Sequence, residues 1–269
     1  MALPAPSPDT VVAVTGASSG IGRELARELA RRGHGLVLVA RRRDRLEEQA
    51  DELRRSAGVA VHVVPADLGD DTQRREAIAA IEALEPAVVG LCNNAGIGSF
   101  GLFQELEPDN EVAIVRLNVL ALHEMTARLL PAMLRRGEGA ILNLSSLASF
   151  QPLPRNVTYA ATKAFVHSFS EGLATDLKGT GVSVTALAPG PVHTEFGEKA
   201  QVGEQEANLP EVMFVDKGVV ARAAVDGMER GRRTVVPSLK WQAAGVGGRL
   251  APRTVFLPAM RRIMGTQFR

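Results

Sequence analysis

Val11-Val12-Ala13-Val14-Thr15-Gly16-Ala17-Ser18-Ser19-Gly20-Ile21-Gly22 decides the architecture of this chain. The apolar opening suits a buried strand and the three glycines make a turn. Ile21, Leu25 and Leu29 then recur every four residues along one face of a helix. Strand, glycine turn and helix in that order open a β-α-β unit. A turn of this kind lets the backbone approach a pyrophosphate closely, and the free N–H groups of the helix N-terminus point at the anion. The spacing is G-x-x-x-G-x-G rather than the commoner G-x-G-x-x-G, so the signal rests on the flanking strand and helix more than on the glycines alone.

Working outward, Leu36-Val37-Leu38-Val39-Ala40 reads as a second buried parallel strand, ending in Ala40-Arg41-Arg42-Arg43. An acid at such a strand end binds a ribose 2′-hydroxyl; here Ala40 stands in its place, and Arg41 and Arg42 suit a 2′-phosphate instead. Against this, the same arginines would simply open a solvated helix over 41–57, in which Glu47, Glu48, Asp51 and Glu52 balance them. Further strands are expected over 59–64, 88–92, 141–144, 182–188 and 234–237, and helices over 70–85, 109–136, 157–177 and 216–230. This alternation implies right-handed crossovers and an α/β fold: a single-domain doubly wound parallel sheet (Rossmann-like) of about seven strands flanked by helices. Ligands bind at the carboxyl ends of strands in such sheets. The glycine turn, Arg41, Asp67, Asn94, Ser146 and Pro189 all fall at such ends.

Residues 1–9 are expected to be a flexible N-terminus and 10–237 the domain carrying both cofactor and substrate sites. Residues 195–215 lack periodicity and read as a mobile lid over a cleft. The extension 238–269 is expected to pack near that cleft or at a subunit interface.

Composition narrows the classes. The chain has 269 residues, 45% hydrophobic and 23% charged, an ordinary globular mixture. No charged, apolar leader opens it and no apolar run reaches the ~20 residues of a membrane span, so a soluble, cytoplasmic protein is expected. Cys92 is the single cysteine, which excludes an intramolecular disulfide, and its apolar surroundings suit a core residue rather than a nucleophile. His34, His62, His123, His167 and His193 are scattered without metal-ligand spacing, so no metal site is expected. The net charge of +1 hides an asymmetry: nine basic and no acidic residues follow from Arg230 onward, leaving 22 basic against 30 acidic before it. Phe256, Met260, Ile263 and Met264 fall at helical spacing in this tail, with arginines opposite. Two readings stand, a short helix packed over the cleft or a neighbouring subunit, and contact with an anionic membrane surface or acyl-CoA phosphates. Nucleic-acid binding is not expected, because the basic residues lack stacking aromatics in series.

Tyr159, the only tyrosine, precedes Lys163 by four residues within a helical segment, which sets phenol and ammonium one turn apart on one face. A free phenol titrates near pKa ~10, and a neighbouring cation lowers that value. Lowering it by about three units, into the range useful for acid–base work at neutral pH, takes roughly 4 kcal/mol of differential interaction. Taken alone, such a pair also reads as a solvated surface contact.

Together, T-G-x-x-x-G-I-G (15–22), N-N-A-G (93–96), Ser145-Ser146, Y-x-x-x-K (159–163) and P-G-x-V-x-T (189–194) resemble the short-chain dehydrogenase/reductase family in order and spacing, over residues 11 to about 237. The resemblance implies an NAD(P)-dependent oxidoreductase that moves a hydride between NADPH and a ketone, aldehyde or alcohol, the substrate being lipid-like in one branch of the family. By the same resemblance, Tyr159 is the proton donor or acceptor and Lys163 lowers its pKa and binds the nicotinamide ribose. Ser146 holds the carbonyl, with Ser145 its less critical neighbour, and Asn118 keeps a water in the proton relay. Gly16, Ser18, Ser19, Gly20 and Ile21 would cradle the phosphates. Asp67 and Leu68 would border the adenine, and Asn94, with Ala95 and Gly96, the ribose. Pro189, Gly190, Val192 and Thr194 would border the nicotinamide, and Arg41 and Arg42 imply NADP(H) in preference to NAD(H). A homodimer or homotetramer formed through helices 109–136 and 157–177 is implied as well. The alternative is a catalytically silent NADPH-binding redox sensor or scaffold.

Overall fold

β1 (Thr10–Thr15) and β2 (Gly35–Ala40) are runs of β-branched and aliphatic residues, and β2 is buried throughout, as a strand covered on both faces requires. Successive side chains alternate between two cores. Val12, Val14, Leu36 and Leu38 pack with Leu25, Leu29, Val220 and Met228 on one side; Val11, Ala13, Val37 and Val39 pack with Ile78, Met125 and Met133 on the other. The computed structural model describes residues 2–199, 210–238, 240–243, 247 and 251–266. It continues the sheet with β3 (Val61–Pro65), β4 (Ala87–Asn93), β5 (Gly139–Leu144), β6 (Val182–Leu187) and β7 (Thr234–Val235). All seven strands are parallel, in the order β3-β2-β1-β4-β5-β6-β7. The winding changes direction between β1 and β4, and the cleft opens there, at the strands' carboxyl ends.

The flanking helices are α1 (Gly20–Arg31), α2 (Arg43–Ala57), α3 (Asp71–Glu82), α4 (Pro108–Val115), α5 (Leu122–Arg136), α6 (Val157–Asp176), α7 (Glu195–Lys199), α8 (Lys217–Glu229) and α9 (Arg253–Thr266). Caps fix several ends: Asp70 Oδ1 accepts from the N–H groups of Thr72 and Gln73 before α3, and Asp216 Oδ1 from Val219 before α8. Gly58 and Gly137 close α2 and α5 in the left-handed conformation. Among the described residues, no helix is long and apolar enough to cross a membrane.

Four expectations differ from this architecture. The helix expected from Arg41 begins at Arg43, which leaves Arg41 and Arg42 on the strand end rather than on a solvated helix face. The helix expected over 109–136 widens into a π-helical stretch, Arg116–Ala121, between α4 and α5; such stretches recur at functional sites. The opening segment is pinned rather than loose. Leu3 is buried, its N–H donates to the Met228 carbonyl at 3.0 Å, and its side chain packs at Gly90. The segment expected as a lid contains α7 and a short 3-10 turn, Glu211–Met213, and residues 200–209 lie outside the described residues. In the basic tail α9 forms as the spacing predicts, whereas the side chains of Ile263 and Met264 lie outside the described residues.

Arg74 ties α3 to the sheet edge beside the cleft. Its buried guanidinium donates to Glu124 Oε2 at 2.7 Å, to Asp71 Oδ1 at 2.8 Å and to the Leu68 carbonyl at 2.9 Å. Removing Glu124 takes away one charge-assisted hydrogen bond, while Asp71 and the Leu68 carbonyl still hold the guanidinium. Glu124→Ala is therefore expected to lower unfolding free energy by about 2 kcal/mol in urea titrations; a loss within the ~0.5 kcal/mol of an ordinary surface change would remove Arg74 as a structural tie.

Candidate active site

The turn after β1 is set by contacts that exclude a side chain. Gly16 has φ +65°, and a Cβ there would lie 2.8 Å from Asn94 Nδ2; a Cβ on Gly22 would overlap the Gly16 carbonyl. Asn94 Nδ2 donates to the carbonyls of Thr15 (2.8 Å) and Gly16 (3.4 Å), and Thr15 Oγ1 accepts from the N–H groups of Asn94 and Ala95 at 2.9 and 3.0 Å. Ser19, ahead of α1, makes no side-chain cap and the first turn carries no acid, so the helix N-terminus offers its N–H groups to an anion. A pyrophosphate fits this turn.

At the end of β2, Arg42 Nε and Nη2 reach Ser18 Oγ at 3.3 and 3.1 Å, so the arginine arches over the glycine turn. Arg41 lies 3.5 Å from Asp67 Oδ2, and Asp67 Oδ1 accepts from the Gly69 N–H at 2.9 Å. These groups, with buried Leu68, form the far wall of the cleft.

The near end is built on β5 and α6. Lys163 is buried, and Nζ donates to the Leu144 carbonyl at 2.6 Å, tying α6 to the end of β5. The ammonium lies 5.6 Å from the centre of the Tyr159 ring. Ser145 Oγ donates to the Lys163 carbonyl at 3.2 Å, and Ser146 Oγ accepts from the Ala148 N–H at 3.1 Å while hydrogen-bonding Tyr159. Tyr159 in turn packs against Phe196, with ring centres 5.3 Å apart.

Burial controls the titration of this pair. It pushes the Tyr159 phenol up to about 12, against the pull of the hydrogen bond with Ser146, and pushes the Lys163 ammonium down to about 8. The expected lowering of the phenol by its lysine is thus reversed among the chain's own groups. Desolvation penalises both charged forms, and the ammonium is engaged by Leu144 rather than by the phenol.

One cavity of about 530 Å³ joins both ends, within the range of small-molecule sites. Gly16, Ser18, Ser19, Gly20, Ile21, Arg41, Arg42, Asp67, Leu68, Asn94, Ala95, Gly96, Ser145, Ser146, Tyr159, Lys163, Pro189, Gly190, Val192 and Thr194 all line it. Asn118 does not. Its amide lies behind the wall, where Oδ1 accepts from the Ile97 N–H at 3.0 Å and Nδ2 donates to the Ile97 carbonyl at 2.9 Å and to Thr162 Oγ1 at 3.1 Å. Asn118 sits within the π-helical stretch. Sequence reasoning missed Phe196, Glu195 and Trp241 among the lining residues. Trp241, the only tryptophan, lies against Gly190 and donates from Nε1 to the Met213 carbonyl at 3.2 Å; its uniqueness was the one available signal.

A family model described as short chain dehydrogenase matches residues 10–205. Sulfoacetaldehyde reductase 2 of Chromohalobacter salexigens is 38% identical over 203 residues, 74% of this chain and 79% of that protein. Among solved structures, a short-chain dehydrogenase from Sphingobium yanoikuyae in complex with NADPH has a TM-score of 0.80 at 33% identity, covering 97% of this chain and 96% of that one. A bulky-bulky ketone specific alcohol dehydrogenase from Comamonas testosteroni has a TM-score of 0.75 at 30% identity, covering 97% and 95%.

The glycine turn gives a direct test. Gly22→Ala forces Cβ against the Gly16 carbonyl and is expected to weaken dinucleotide binding at least tenfold in fluorescence titrations, while far-UV circular dichroism stays unchanged. Unaltered affinity would mean that the turn does not hold the pyrophosphate.

Proposed function

Given that this chain belongs to the short-chain dehydrogenase family, we propose that it uses NADPH to reduce an uncharged ketone or aldehyde with apolar flanks. NAD(P)-dependent oxidoreduction of a carbonyl or alcohol carbon comes with that membership. The carrying observation is that Tyr159, Ser146 and Lys163 meet in the wall of the cavity that runs on to the glycine turn. A nicotinamide dinucleotide bound along that cavity supplies the hydride. Ser146 Oγ holds and polarises the carbonyl oxygen. Tyr159 gives its proton to that oxygen as the carbon is reduced. Lys163 holds the phenol's surroundings positive and stays anchored on Leu144. Asn118 positions the loop at Ile97 that carries the Gly96 wall of the site.

The raised phenol suits a proton donor: an alkoxide forming at the carbonyl oxygen is a far stronger base than a phenolate, so proton transfer to it from Tyr159 runs downhill. The NADP(H) preference rests on Arg42 over Ser18 and on Ala40 where an acid would serve NAD. The preference for an uncharged substrate rests on Phe100, Leu147, Leu153, Phe196 and Trp241, apolar or aromatic residues in the cavity lining. Such a lining suits the kind of ketone named for the Comamonas enzyme better than the anionic aldehyde named for the Chromohalobacter one.

NADPH oxidation across ketones and aldehydes of rising size, acyl thioesters included, tests the substrate class; kcat/KM should rise with apolar bulk, and turnover confined to sulfonated aldehydes would overturn it. In the same assay Tyr159→Phe is expected to lose about 10³-fold or more in kcat with NADPH affinity within twofold, and substantial remaining turnover would remove Tyr159 as the donor. With Lys163 at about 8 and Tyr159 at about 12, the phenol keeps its proton at neutral pH while the ammonium loses its own above pH 8. Reduction, followed as kcat/KM, should therefore be level from pH 6 to 7 and fall above about 8; a profile flat to pH 9.5 would take the lysine charge out of the reaction.

A further inference from the structure

Two arginines after β2, Arg42 and Arg45, hold an anion of the chain's own. Glu195, at the start of α7, accepts from Arg42 Nη1 through Oε2 at 2.8 Å and from Arg45 Nη1 through Oε1 at 2.5 Å. Arg42 turns its other edge to Ser18, so one guanidinium spans the glycine turn and the α7 carboxylate. The flanking residues tie the same segment to both ends of the cleft. Thr194 abuts Gly20, where an added Cβ would meet its side chain at 3.3 Å, and Phe196 packs on Tyr159.

A carboxylate shared between two guanidiniums is held as a phosphate is held, by charge-assisted hydrogen bonds from planar forks. The arginines cannot serve two anions as well as one, since like charges at this spacing repel. Arg42, Arg45 and Glu195 are each about one-third to one-half exposed, so an incoming group reaches them without breaching a core. We propose that Glu195 determines cofactor selectivity: its carboxylate competes with the 2′-phosphate of NADPH for Arg42 and Arg45 and tempers the preference over NADH. This rests on the reading of Arg42 as a 2′-phosphate ligand. A cofactor bearing a 2′-hydroxyl leaves the Glu195 bridge in place, whereas a 2′-phosphate draws Arg42 and Arg45 from it. Glu195 is therefore a selectivity residue outside the chemistry at Tyr159.

Isothermal titration of the full chain with NADPH and with NADH tests this without turnover. Glu195→Gln is expected to tighten NADPH about tenfold and leave NADH within twofold, with the melting temperature unchanged. Glu195→Ser, which removes the carboxylate with a smaller side chain, is expected to give the same split. Arg42→Ala separates the two layers of the argument. If it weakens NADPH at least tenfold while both Glu195 variants leave the NADPH-to-NADH ratio unchanged or lower it, the phosphate reading stands and the competition is overturned. If Arg42→Ala leaves both cofactors as in the parent chain, the phosphate reading fails and the competition falls with it.

Discussion

Everything in the cleft hangs on the seam between β1 and β4. Thr15 Oγ1 accepts two backbone N–H groups from the end of β4, and Asn94 Nδ2 returns to the carbonyls of Thr15 and Gly16. Where the winding changes direction, the connections leaving the two strands run to opposite faces of the sheet and leave a gap at their carboxyl ends. Here side-chain hydrogen bonds close it, and the closure brings Gly16 so near Asn94 and Ala95 that no Cβ is tolerated. The glycine turn is thus a packing requirement of the seam as well as an approach for phosphate. From the seam the wall continues through Gly96 to Asn118 and Lys163, both of which lie near the space a Cβ on Gly96 would occupy.

How much of this was legible in the sequence follows from which interactions are local. The inner strands were readable because a doubly covered strand is largely apolar along its length, and all seven strands appear close to their expected positions. The residues at strand ends were readable because turn geometry and side-chain type are coupled over a few positions, as in Gly16 to Gly22 and Tyr159 to Lys163. What escaped depends on contacts remote in sequence. The π-helical stretch shows no compositional mark in Arg116–Ala121, and the paired hydrogen bonds that Asn118 within it makes run to Ile97, remote in sequence. Trp241 reaches Gly190 and Met213 across a stretch of chain with no periodic pattern. Leu3 looked like part of a loose, proline-rich opening, yet it is held by the packing of β4 and α8, which no local rule encodes.

The protonation states were the least legible feature, because they depend on burial. Helical spacing placed an ammonium beside a phenol correctly and suggested a lowered phenol pKa. Desolvation decides otherwise for the phenol within the protein's own field. The sequence fixes neighbours; the dielectric around them comes from the whole fold.

That same burial separates a functional lysine from a structural one. A folded-state value of about 8 against 10.5 for the free group means that, at neutral pH, carrying Lys163 charged inside the fold costs about 3 kcal/mol. The folded value is depressed, so the unfolded chain binds the proton more tightly, and the cost is full below pH 8 and disappears as pH rises from about 8 toward 10.5. The hydrogen bond to the Leu144 carbonyl offsets only part of this, since that acceptor is neutral. An apolar side chain of similar length would tie α6 to β5 by packing alone and at lower cost. A solvated pair with Tyr159 is excluded by the burial itself. The fold therefore retains a charge against its own stability, one turn from the only tyrosine and in the wall of the cavity that runs to the glycine turn, which is the condition expected of a group kept for chemistry.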